Sequence, residues 1–97
     1  MFRHIVLYKL KDRSNESKRA LQEKFLSMQG NVPQIRMMEV GTDGLNLSRS
    51  YDVSLNMTFD DPEGFRSYKE HPFHKGVAEY VHAVIKTSVS CDFEVDA

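Results

Sequence analysis

The chain has 97 residues, with 13 basic and 14 acidic side chains and a net charge of −1. That length holds one domain, residues 1–97, with no room for a second core, and the balanced charge excludes a nucleic-acid or anionic-membrane binder, which needs a basic patch. Cys91 stands alone, so neither an internal disulfide nor a cysteine-based zinc site can form.

The first predicted strand is Phe2 to Lys11. Alternation sets Phe2, His4, Val6, Tyr8 and Leu10 on one face and Arg3, Ile5, Leu7 and Lys9 on the other. Both faces carry apolar groups, so both need cover. His4, Tyr8 and Lys9 interrupt the apolar run, which is therefore no signal peptide, and no stretch approaches the length of a membrane span. The expectation is a soluble, cytoplasmic protein. A helix follows from Glu16 to Gln29, capped by Ser14 or Asn15, with Leu21, Phe25, Met28 and Val32 in one apolar stripe. Gly30 suits the position after the helix, and Pro33 prevents its continuation. The basic residues Lys9, Lys11, Arg13, Lys18 and Arg19 are mixed with acids and read as a solvated face.

Ile35 to Val40 is predicted as the second strand, and the glycines of "GTDGLN" as turn residues. In the third, Tyr51 to Phe59, Tyr51, Val53, Leu55, Met57 and Phe59 alternate with Asp52, Ser54, Asn56 and Thr58. Asp61-Pro62 starts a helix that ends at Glu70, because His71 precedes Pro72 and is pushed towards extended geometry. A further helix runs from Pro72 to Val84, and the last strand from Thr87 to Val95. The order β-α-β-β-α-β, with its second helix broken at Pro72, is the ferredoxin-like α+β arrangement, a four-stranded antiparallel sheet with helices on one face. Ile5 and Leu7 then lie on the bare face, which a homodimer pairing two sheets would cover.

"YKEHPFHKG" carries the chemistry. On a helical wheel His74 falls at the edge of the apolar stripe of Phe73, Val77, Tyr80, Val81 and Val84, whereas His82 lies on the solvent side. Tyr68 follows Phe65 by three residues and can turn inwards as well. With His4, Val6 and Tyr8 on the sheet below, two imidazoles and a phenol converge on an apolar space. An imidazole can move a proton near neutral pH, and a phenol can donate to a developing oxyanion. The plainer alternative is that His-Pro serves as a helix cap and that His74 bonds a backbone carbonyl. His4, His71 and His74 lack zinc-site spacing and a fixed carboxylate, so neither metal nor cofactor is expected.

Four segments, "HIVLYKLKD", "GLNLS", "YDVSLNMTFDD" and "YKEHPFHKG", together resemble the stress-responsive A/B barrel domain (Dabb) family over nearly the whole chain. The resemblance implies ferredoxin-like subunits whose sheets pair as a dimeric α/β barrel. The family contains heat-stable stress proteins and a plant polyketide cyclase that carries out an intramolecular aldol condensation. By the resemblance, His74 is the base, Tyr68 holds the substrate and its enolate, and His4 is the strand-one histidine. The chain departs from the cyclase at Phe25, where a pocket tyrosine is expected, and at Tyr8, where the cyclase is aliphatic. The expected site thus has His74 and Tyr68 as the chemical pair and His4, Val6, Tyr8, Phe25, Leu55, His71 and Val77 around the ligand. The expected function is acid–base chemistry on a small carbonyl compound. The alternative is a non-catalytic stress-associated or ligand-binding protein.

Overall fold

The computed structural model describes residues 1–96; Ala97, the last residue of the expected domain, lies outside them. The elements are β1 (Phe2–Leu10), α1 (Asn15–Leu26), β2 (Met37–Thr42), β3 (Val53–Phe59), α2 (Pro62–Glu70), α3 (Pro72–Val84) and β4 (Ile85–Glu94). The sheet order is β2-β3-β1-β4, with every pair antiparallel. This is the ferredoxin-like α+β fold. The period-two alternation of β1 and β3 does what apolar burial requires. Val6, Tyr8, Leu10, Val53, Leu55, Met57 and Phe59 all turn to the helix side and join Leu21, Phe25, Met28 and Val32 in one core.

Local signals fix the helix ends. Ser14 accepts the Ser17 N–H at 3.2 Å and caps α1. The helix stops at Leu26, short of the expected Gln29. Met28 and Gln29 donate instead to the carbonyls of Phe25 and Leu26, which tightens the chain before Gly30 takes φ +85°. The apolar stripe nevertheless continues through this turn, since Met28 and Val32 are both buried. Asp61 accepts the Gly64 N–H at 2.8 Å and starts α2. His71 is extended (φ −66°, ψ 133°) before Pro72, and its Nδ1 accepts the Phe73 N–H at 3.1 Å. It closes one helix and caps the next.

Several expectations need correction, among them the last strand, which runs Ile85–Glu94 rather than Thr87 to Val95. β2 begins at Met37 rather than Ile35, because Ile35 is engaged in a turn, its N–H bonded to the Val32 carbonyl. β3 begins at Val53, and Asp52 does not join the polar face: it is fully buried. Its carboxylate accepts the Leu10 N–H at 2.8 Å and Arg13 Nε at 2.9 Å, with Lys18 Nζ at 3.9 Å. Arg13 and Lys18 therefore leave the expected solvated face, and Lys18 is buried. A buried carboxylate requires such partners to offset its desolvation. This knot ties the end of β1, the start of α1 and the approach to β3 together.

Candidate functional site

Between the helices and the sheet lies an open cavity of about 350 Å³. The ladder between β1 and β4 builds its floor. His4 pairs with Asp92, Val6 with Ser90 and Tyr8 with Ser88, so these side chains share the helix-facing side. The roof comes from Tyr68 and Lys69 of α2 and from His74, Val77, Ala78, Val81 and His82 of α3, with Phe25 of α1 at one end.

The aromatic and imidazole rings form a chain. The Tyr68 and His74 ring centroids are 4.3 Å apart, those of His4 and Tyr68 are 6.4 Å apart, and Phe65 packs at a tilt against His4 at 4.8 Å. His74 Nδ1 lies 3.2 Å from the Lys69 carbonyl oxygen. A carbonyl only accepts, so Nδ1 carries the proton and Nε2 is left with its lone pair. His4 is held in the same way. Its Nδ1 bonds the Asp92 carboxylate, a contact that fixes the ring and directs the bare Nε2 away from the acid.

Burial sets the charge states. Desolvation holds His74 below the ordinary 6.5, the Lys69 ammonium adds to the effect, and the Lys69 carbonyl opposes it. His4 is also lowered by burial, which outweighs the Asp92 carboxylate. Both imidazoles are therefore neutral at pH 7 and able to accept a proton. Burial raises the Tyr8 hydroxyl to about 12 and raises that of Tyr68 further, so both remain protonated donors.

These shifts give a sign for stability against pH. The unfolded chain takes up protons on its histidines near 6.5 while the folded chain does not, so stability is complete above that value. It should fall as pH drops through 6.5 towards the lower folded-state values. Urea melts between pH 7.5 and 5 will show this slope, and it should flatten in the double variant His4→Asn/His74→Asn. An unchanged slope in that variant would assign the acid sensitivity to other groups.

Of the residues expected at the site, His4, Val6, Tyr8, Phe25, Tyr68, His74 and Val77 line the cavity. Leu55 does not: it is buried between its cross-strand partners Val6 and Val40 on the same sheet face and fills the core. His71 does not either, since its ring is committed to capping α3. His82 is exposed, as the wheel places it, but also reaches the cavity rim. Sequence reasoning passed over Asp92, Lys69, Ser88 and Ser90. The alternation of Ser88, Ser90 and Asp92 with Val89, Cys91 and Phe93 was a signal for the strand residues, but it presents polar groups to the helices, the reverse of the usual pattern.

The model of the stress responsive A/B barrel domain matches residues 2–95. An uncharacterised protein of Streptomyces coelicolor is 34% identical over 82 residues, which cover 80% of this chain and 84% of that protein. A dimeric protein of unknown function and ferredoxin-like fold from Bacteroides fragilis is similar with a TM-score of 0.79 and 25% identity, over 97% of this chain and 95% of that one. The hydroxynitrile lyase of Passiflora edulis is similar with a TM-score of 0.83 and 18% identity, over 98% and 93% of the two chains. The same fold thus recurs at low identity. Together with a family match over nearly its whole length, this establishes that the chain belongs to the stress responsive A/B barrel domain family.

Proposed function

We propose that the cavity binds a small, partly apolar carbonyl compound and that His74 and Tyr68 act on it by acid–base chemistry. The observation that carries this reading is the His74 ring: Nδ1 is occupied by a carbonyl, Nε2 is bare, and a protonated phenol lies against it in a cavity wall. His74 Nε2 removes a proton from the carbon beside the carbonyl, and Tyr68 donates a hydrogen bond to the enolate oxygen. In a polyketide-cyclase-like reaction the enolate carbon then attacks a second carbonyl of the same molecule. The imidazolium returns its proton to the alkoxide that forms. The hydroxynitrile lyase among the structural relatives supports the fold's capacity for enzymatic chemistry in general. Linear β-keto compounds are the test panel, with cyclised product followed by absorbance and NMR. Turnover by the parent that is lost in His74→Ala supports the reading. Binding without turnover anywhere in the panel would leave a ligand-binding protein.

The proposal includes a homodimer. The outer sheet face carries Leu7 opposite Val89, Ile5 opposite Cys91, and exposed Phe93 and Met37, an apolar surface unusual for a monomer. The Bacteroides fragilis relative, described as dimeric, supports the same assembly. Light scattering at micromolar concentration is expected to give twice the 11.2 kDa chain mass. Placing lysines at both Leu7 and Val89 should shift the population to monomer and lower the melting temperature. A stable, well-folded parent monomer would refute the dimer.

A further inference from the structure

We infer that Lys69 selects ligands bearing an acid group, so that the cavity takes small organic anions with an apolar body in preference to neutral compounds of the same shape. The inference rests on the reading of the cavity as a ligand site and names the class of ligand.

Three observations carry it. Lys69 lines the cavity and is exposed, while no aspartate or glutamate is among the lining residues and the Asp92 carboxylate beside them is engaged by His4 Nδ1. Among the described residues no carboxylate lies within 4.0 Å of its ammonium, whereas nearby Lys75 is paired with Glu70 at 3.5 Å. The Lys69 ammonium sits 5.9 Å from the centroid of Phe65, the ring that packs at a tilt against His4, which holds the charge beside the site and within electrostatic reach of both imidazoles. Val6, Phe25, Val77, Val81 and Ile85 supply apolar wall for the rest of the molecule. A cation without an acid partner, at the rim of such a wall, is the complement of an amphipathic anion.

The arrangement couples binding to protonation. The groups facing His74 are Lys69 and Tyr68 from α2, His4 from β1 with Asp92 of β4 behind it, His71 before α3, and Tyr8 and His82 at the cavity. Lys69 is the fixed positive charge in this set. An anion that neutralises it removes a repulsion on the His74 imidazolium, so acid ligands should raise the affinity of His74 for protons. Neutral ligands should not.

The test compares 4-phenylbutanoate with 4-phenylbutanamide, an acid and a neutral amide of nearly the same shape, by NMR titration of the full chain at low salt. The acid is expected to bind roughly five-fold or more tightly, the value of about 1 kcal/mol for an ion pair at an exposed rim. The preference should shrink as salt is added and disappear in Lys69→Gln, while Lys75→Gln keeps it. The His74 ring titration should move to higher pH with the acid and stay in place with the amide. Equal binding of the two compounds by the parent, or a preference that survives Lys69→Gln, overturns the inference while leaving the ligand site intact. Binding of neither compound removes the ligand-site reading and this inference with it.

Discussion

Asp52→Ala is expected to lower the unfolding free energy by about 3–5 kcal/mol, the cost typical of breaking a buried ion pair from one side. The carboxylate is fully buried and serves three groups at once: the Leu10 N–H, Arg13 Nε and the Lys18 ammonium. Its removal orphans a buried backbone donor, a loss of about 1–3 kcal/mol by itself. It also leaves Lys18, only 3% exposed, without its counter-charge. Asp52→Asn keeps an acceptor for Leu10 and should fall between the two. The control is Asp60→Ala. Asp60 meets Arg36 through two parallel bonds of 3.0 and 2.9 Å, but both residues are exposed, so water replaces what is lost. That change should cost no more than about 1 kcal/mol. Urea melts at a single protein concentration give the comparison, because a dimer's apparent stability depends on concentration. A loss at Asp52 as small as that at Asp60 would mean that Lys18 and Arg13 regain solvent when the carboxylate is gone.

The contrast between these aspartates marks where sequence reasoning succeeds. Helix starts at Ser14 and Asp61 and the break at His71-Pro72 depend on a side chain and its next few neighbours, and they stand where local rules put them. The inward set of β1 and β3 follows from alternation over a long regular run. Asp52 escaped because its burial depends on Arg13 and Lys18, which are distant in sequence and look like ordinary surface charges. The site was legible in the same uneven way. His4 and His74 could be aimed inwards by period and wheel. The anchors that fix their tautomers were legible only in part: the plainer alternative, a His71 cap and a backbone carbonyl on His74, is what the structure shows, but neither the Asp92 carboxylate on His4 nor the identity of that carbonyl as Lys69 could be read. One requires the register of β4 on β1, and the other is a backbone atom with no signature in the sequence. Leu55 was misassigned for a related reason. Alternation gives a residue's face, but not whether a cavity or packed core lies above it.

His74→Ala is expected to slow proton abstraction from a β-keto ester by about 10²- to 10⁴-fold, the usual contribution of a positioned general base. Tyr68→Phe should lose about 1.5–3 kcal/mol of stabilisation, the value of one hydrogen bond to a charged oxygen. The difference follows from roles. The imidazole must take the proton, whereas the phenol only lowers the energy of the charge left behind. Exchange of the α-proton in D₂O, followed by NMR, reads this step directly without requiring cyclisation. The pH profile should carry the sign set by the site. Burial and Lys69 hold His74 below the ordinary 6.5, so the rate should be flat near pH 7 and fall only as pH drops through that lowered value. Lys69→Gln removes the repelling charge and should move the fall to higher pH, a displacement that a purely structural lysine would not cause. Thermal melts separate chemistry from folding. His74 is half-buried and borders open space, and Tyr68→Phe keeps the ring that packs on Phe59 and Phe65, so both variants should melt close to the parent. If His74→Ala unfolds easily and the parent exchanges no α-proton in any β-keto ester, the imidazole is a structural strut. The cavity would then be a binding site without a base.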